Sequence, residues 1–402
     1  MARSRRRILL VTLPLAVIVF GIVAWVLVSQ QLMSPPPKVP KTEATANAKA
    51  TLRAIPTATP HPSIADTGEV VPPRIESYVD GVSMPVGLVF TPDGRLLFSE
   101  ALTGTVRVAR RTGDQAELLT TPFATLTIAK GGESGTLGLA VDPSYEQNHW
   151  IYLYYSEPDP NRADRRPLRN RIVRFTDVNS IGTDMTVIFD NIPMSREGRH
   201  NGGRLLFGPD GKLYVTVGNA EEKENSQDLT NPNGKVLRIN PDGTIPSDNP
   251  FPNSPIYAYG FRNMFGLALH PITHLFYVTE NSGDSHDEIN LIERGGNYGF
   301  PTFEGPGVDA RFVDPIWESG ARTIGPTGLT FYTGDQIPQY RNDLFFCAIN
   351  TGSLTRLRLS SADYQTVEGS EVVANNCHLD VTNGPDGALY YSSVSQIFRL
   401  SR

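Results

Sequence analysis

Two cysteines, Cys347 and Cys377, are all the chain has in 402 residues. Neither lies near the N-terminus, so no lipid can be carried on an N-terminal cysteine, and no cysteine-rich zinc knuckle can form. HExxH, CxxC, GxSxG and Walker signatures are also missing. Their absence removes the zincin, dithiol, α/β-hydrolase and P-loop readings. Positive charge is scarce too: 36 Lys and Arg against 42 Asp and Glu leave a net charge of −6. Nucleic-acid surfaces need clustered Lys and Arg, so nucleic acid is excluded as a partner. Long helical periodicities are lacking as well, and only one extended apolar run is present.

That run, Ile8 to Val28, carries no charged residue and follows Arg3, Arg5, Arg6 and Arg7. It suits the roughly 20 residues of a spanning helix. It is longer than the core of a cleavable signal peptide and does not end at a small-residue cleavage site. Residues 1–33 are therefore expected to form a basic stub and a single transmembrane anchor. The arginines place the N-terminus in the cytoplasm and everything after Val28 outside it. Residues 34–73 are rich in Pro, Ala and Thr and poor in large apolar side chains, which predicts a disordered, semi-rigid linker. Outside the cytoplasm the two cysteines are free to pair, although their spacing alone does not show that their Cα atoms meet.

Residues 74–402 read as one all-β domain with an internal repeat. A short apolar strand, a Pro/Asp/Gly turn and a second apolar strand recur from Val86, Leu137, Gly203, Phe265, Thr327 and His378. Examples are VGLVF-TPDG-RLLFSE and GRLLF-GPDG-KLYVTVGN. Proline presets a turn φ, aspartate bonds its own backbone, and glycine accepts positive φ. Six copies at intervals of roughly 50 to 65 residues predict a six-bladed β-propeller. The last copy lacks room for an outer strand, and Ile75 to Val79 is expected to supply it and close the ring.

In such a ring the starts of the inner strands face one mouth of the central channel. His200 precedes the third inner strand and Arg262-Asn263 the fourth, so a base, a cation and an amide should converge there. Arg204, within the strand copy, is expected to form a blade-to-blade ion pair. The loop Glu280 to Asn290 is dense in oxygen ligands and reads either as a hard-cation site or as a surface loop with Asp287 and Glu288 capping turns. Gly218 to Asp228 reads as a solvated loop.

In order, GGESGTLGLAVDP (Gly131 to Pro143), HNGGRLLFGPDGKLYVTVGN (His200 to Asn219), NGKVLRINPDGTIPSDNPF (Asn233 to Phe251), YGFRNMFGLALHP (Tyr259 to Pro271) and DEINLIERGGNYGFP (Asp287 to Pro301) resemble the glucose/sorbosone dehydrogenase family. The resemblance implies a propeller that carries pyrroloquinoline quinone (PQQ) and Ca2+ and oxidises a sugar at its anomeric carbon to a lactone. It makes His200 the general base, with Arg262 and Asn263 polarising the quinone oxygen. The carbonyls of Ser282 and Gly283 become calcium ligands, and Glu133, Arg199, Thr327 and Asn350 surround the cofactor. The family's carboxylate clamp, one lysine and two arginines, falls on Asn350, Cys377 and Leu379. Arg199 and Arg322 are the cations left to compensate. An external electron acceptor is implied.

Two other readings stay open. One is a propeller of the same family that binds carbohydrate or a protein partner without redox chemistry, its clamp lost. The other is a calcium-dependent lactone hydrolase, which lacks a ring of carboxylates contributed by several blades.

Overall fold

A computed structural model describes residues 73–402 apart from 114 and 308. The expected anchor, and the linker up to residue 72, lie outside the described residues. Among the described residues no helix is long and apolar enough to cross a membrane.

The chain is built as six antiparallel sheets, each four strands deep along its main path. Strand β1 (Arg74–Asp80) comes first. Blade 1 follows as β2 (Pro85–Phe90), β3 (Leu96–Glu100), β4 (Thr105–Thr112) and β5 (Gln115–Leu118), with β6 (Ala124–Thr125) also paired to β4. Blade 2 holds β7 (Thr136–Val141), β8 (Trp150–Pro158), β9 (Pro167–Val178) and β10 (Ile181–Pro193). Blade 3 holds β11 (Leu205–Phe207), β12 (Leu213–Val217), β13 (Lys235–Ile239) and β14 (Ile256–Tyr259). Blade 4 holds β15 (Leu267–Leu269), β16 (Phe276–Glu280), β17 (Glu288–Ile292) and β18 (Trp317–Glu318). Blade 5 holds β19 (Pro326–Phe331), β20 (Leu344–Ala348), β21 (Ser353–Leu359) and β22 (Val367–Asn375). Blade 6 holds β23 (Val381–Asn383), β24 (Leu389–Ser392) and β25 (Gln396–Ser401), and its outer strand is β1, antiparallel to β25 from Arg74↔Ser401 to Asp80↔Gln396. The two ends of the domain thus close the ring, which leaves blade 6 no unpaired edge at β25.

The repeat forms for the reasons its residues suggest. Gly94, Gly211 and Gly387 have φ of +84°, +69° and +78°, and each N–H closes a turn onto the carbonyl three residues back. Every residue of β3, β12, β16 and β20 is buried, because neighbouring blades cover both faces. Accordingly the apolar core consists of six clusters, each straddling one blade pair. The cluster of Leu137, Tyr152 and Tyr154 with Leu205 and Val215, for example, joins blades 2 and 3.

Two further links tie the ring. Cys347 on β20 is disulfide-bonded to Cys377, with Cα atoms 4.9 Å apart. Arg204 donates Nη1 to Asp380 Oδ2 at 2.7 Å and Nε to the Phe265 carbonyl at 3.1 Å. Asp380 Oδ2 also accepts the Leu88 N–H at 2.8 Å. The expected blade-to-blade pair therefore crosses the channel between opposite blades 3 and 6, with blades 1 and 4 held to it.

Candidate functional site

His200 sits at the channel mouth, on the segment that enters β11. Its φ of +55° is left-handed, a conformation rare in non-glycine residues and frequent at functional sites. The glycines that follow make room for it. At Gly202 (φ +61°) a Cβ would lie 2.7 Å from the Thr216 carbonyl oxygen, and at Gly203 (φ +104°) 2.9 Å from Leu137. The pair lets the chain drop from the mouth into the channel wall.

The His200 N–H donates to Glu133 Oε2 at 2.9 Å, and Nδ1 lies 2.8 Å from Asn219 Oδ1. An amide oxygen only accepts, so this contact puts the ring proton on Nδ1 and leaves Nε2 with a free lone pair. Burial, the Arg262 guanidinium and Arg199 hold the imidazole down to about 3, against the opposing Asn219 bond. His200 is therefore neutral throughout the ordinary pH range, with its base nitrogen available.

Arg262 and Asn263 are fixed from below by Glu280, whose Oε1 accepts both backbone N–H groups, at 2.7 and 3.0 Å. Arg262 Nη1 donates to the Asn281 carbonyl at 2.9 Å. Asn263 Nδ2 donates to Glu133 Oε2 at 3.0 Å, and its Oδ1 accepts the Gly202 N–H at 3.1 Å. One Glu133 oxygen thus joins His200 to Asn263. Burial pushes the Glu133 carboxyl upward, while the Asn263 amide and the Arg262 charge pull it back. Glu280 Oε2 is buried without a partner, and burial together with Glu288 raises that carboxyl well above its usual range.

The remaining sequence-derived positions divide. Arg199 stays at the mouth, half-exposed. Thr327 is buried, and its hydroxyl donates to the His378 carbonyl at 3.0 Å. Asn350 is exposed; its Nδ2 donates to the Thr323 carbonyl at 3.4 Å and its N–H to the Ile324 carbonyl at 3.0 Å. Arg322 is exposed. Cys377 and Leu379, at the family's arginine positions, are 0% and 6% exposed. Both places are therefore taken by uncharged side chains, Cys377 being tied to Cys347 in the disulfide.

In the oxygen-rich loop, Asp287 accepts the N–H groups of Ser282, Ile324 and Gly325 at 3.0, 2.6 and 2.8 Å. It holds the loop that carries Ser282 and Gly283 against blade 5. Glu288 Oε1 accepts the Gly305 N–H at 2.6 Å. Asp287 and Glu288 are 1% and 5% exposed, so neither is the surface turn cap of the second reading: each ties the loop to a distant segment. Among the described residues no three His, Cys, Asp or Glu side chains are grouped so as to hold a metal ion. Carbonyl ligands of the kind expected from Ser282 and Gly283 are a separate donor set.

The Gly218 to Asp228 loop is solvated at Glu222, Lys223, Glu224 and Asp228, as expected, but not throughout. Asn219 and Ser226 are 1% and 0% exposed, because one orients His200 and the other donates to the Phe261 carbonyl at 2.6 Å. Lys235, fully buried, holds the same loop through the Asn225, Ser226 and Asn233 carbonyls. Asn219 and Glu280 were the functional residues that sequence reasoning passed over. A signal for the first exists: an asparagine closes the second strand of blades 3, 4 and 5 (Asn219, Asn281, Asn350). Their matching places in the repeat bring all three to the same end of the ring.

Fold and site together define a six-bladed propeller with a neutral histidine, an arginine and an asparagine converging at one mouth of its channel. The glucose/sorbosone dehydrogenase pattern matches residues 82–400, and the chain belongs to that family. It is 29% identical over 340 residues to the aldose sugar dehydrogenase YliI of Escherichia coli, covering 79% of this chain and 89% of that one. It is 33% identical over 269 residues to quinoprotein glucose dehydrogenase B of Acinetobacter calcoaceticus, covering 60% and 55%. The PQQ-bound aldose sugar dehydrogenase of Streptomyces coelicolor superposes with a TM-score of 0.70 at 26% identity, over 82% of this chain and 98% of that one.

Proposed function

We propose that the protein is an aldose dehydrogenase of the PQQ-dependent type, anchored by its N-terminal segment at the outer face of a membrane. It oxidises a sugar at the anomeric carbon to the lactone. The observation that carries this reading is the neutral His200, with Nδ1 satisfied by Asn219 and Nε2 free beside Arg262. The membrane reading rests on the apolar run behind four arginines.

The residues present fit the reacting end of such a cofactor. Arg262 presents a cation and Asn263 is locked in place, and both flank a base that stays unprotonated. For the carboxylates the chain offers Arg199, whose Nε is buried and unpartnered, in place of the family's clamp. When bound, PQQ supplies the acceptor for the hydride that leaves the anomeric carbon. His200 Nε2 accepts the hydroxyl proton as that hydride departs. Arg262 sets a fixed positive charge where negative charge develops. Asn219 keeps the imidazole in the productive tautomer, and Glu133 holds His200 and Asn263 in register. The carbonyls of Ser282 and Gly283 are the donors for Ca2+, a hard cation that takes oxygen ligands. Such a site would need an external electron acceptor as partner.

The test is PQQ titration of the purified protein with and without Ca2+, followed by dye-linked oxidation of a panel of aldoses. Tight binding and turnover, lost in Arg262→Ala with the fold intact, support the reading. Failure to bind at high micromolar PQQ would overturn it. The uncharged Cys377 and Leu379 at the family's arginine positions favour one alternative, a propeller that holds carbohydrate without oxidising it. That protein would bind sugars and be indifferent to PQQ.

A further inference from the structure

The mouth is charged on the side away from the family's clamp. On the blade 5 and 6 side stand neutral Asn350, the buried disulfide sulfur of Cys377 and buried Leu379. On the blade 2 and 3 side stands Arg199, next in sequence to His200. Its backbone is held at both ends by Ser195, whose Oγ accepts the Arg199 N–H at 2.8 Å and donates to its carbonyl at 3.2 Å. Its stem packs tightly on Gly132, where a Cβ would come 2.7 Å from Arg199 Cγ. The arm is thus positioned, but its guanidinium is incompletely satisfied. Nε is buried with no partner, and Nη1 reaches Glu221 only at 3.6 Å, longer than the roughly 2.7–2.9 Å of a charge-assisted bond. The side chain is 37% exposed, so one edge is desolvated and the other opens to the mouth.

We infer that Arg199 is the anion-recognition residue of this site and takes a carboxylate, so that the charged end of the ligand lies toward blades 2 and 3. A carboxylate matches the planar fork of a guanidinium and would meet the open Nη edge, which Glu221 reaches only at 3.6 Å. The groups facing it leave this place open. Glu133 is committed to the His200 N–H and Asn263, Arg262 donates to Asn281, and Glu221 is the loosely held counter-charge. The inference rests on the reading of this mouth as the sugar-oxidising site. The carboxylate has two possible sources, an anionic aldose such as a uronic acid or the tricarboxylic quinone itself.

Calorimetric titration of the full-length chain with D-glucuronate, D-glucose and PQQ separates them. Arg199→Gln should lower the affinity for the carboxylated ligand relative to glucose by about tenfold or more, as expected for losing one hydrogen bond to a charged group. Arg199→Lys should restore part of the loss. Glu221→Gln, which leaves the guanidinium free of its counter-charge, should shift the ratio the other way and guards against misreading a folding defect. A loss confined to glucuronate assigns the residue to substrate choice, and a loss confined to PQQ assigns it to the cofactor. If neither carboxylated ligand senses the charge at 199, the inference fails. Arg199-dependent glucuronate binding without any sugar oxidation would leave it standing and remove the dehydrogenase reading instead.

Discussion

His200 is held as a neutral base by its surroundings more than by its own chemistry, and this has a measurable consequence for stability. Its folded value of about 3 lies below the ordinary 6.5, so between those values the unfolded chain binds the extra proton. Stability from this residue is complete above pH 6.5 and is lost as the pH falls toward 3. Melting temperatures measured from pH 7 to 4 should therefore fall more steeply for the wild type than for His200→Gln, which has no imidazole to charge. Equal slopes would show that the ring is not desolvated as described. His200, Arg262 and Asn263 were legible from their motifs. Asn219 was marked only by its place in the repeat, and Glu280 not at all, because a carboxylate that ends a strand shows its backbone partners only in the folded ring.

Among elements, the joints of the ring carry the clearest expectations. Truncation before Gly81 deletes β1, leaves β25 as a bare edge and should abolish cooperative thermal unfolding. A sharp calorimetric transition near the wild-type temperature would contradict the closure. The Cys347–Cys377 bridge spans 30 residues. Replacing both cysteines with serine should cost about 3–4 kcal/mol on the chain-entropy account, read as a lower urea midpoint. Reductant should shift the wild type and leave the double variant unmoved. The strands themselves were readable from apolar copies and turn chemistry. The pairing of the cysteines was not, because it depends on where blades 5 and 6 meet.

At the scale of the whole molecule, Arg204 and Asp380 act as a crossbar. Their side chains are 13% and 3% exposed, and each reaches a further blade through Phe265 or Leu88. Arg204→Met would leave a buried carboxylate without its cation, a change that typically costs about 3–5 kcal/mol. The denaturant midpoint of that variant checks the expectation, and an unchanged midpoint would mean the crossbar is dispensable. An ion pair for Arg204 was expected from its place in the repeat. Its partner, 176 residues away, was not, since the repeat does not say which side chains meet across the channel.

What the sequence determined by itself was everything set by local chemistry and repetition: turn glycines, doubly buried strands, the number of blades, and the side chains that open onto one mouth. These follow from period, composition and spacing, which act over a few residues. Only the tertiary structure decided how the mouth is charged. Whether Cys377 is bonded to Cys347, whether Arg199 keeps an unpartnered Nε, and whether His200 stays neutral all depend on desolvation and on partners from other blades. Those quantities exist only once the ring has closed.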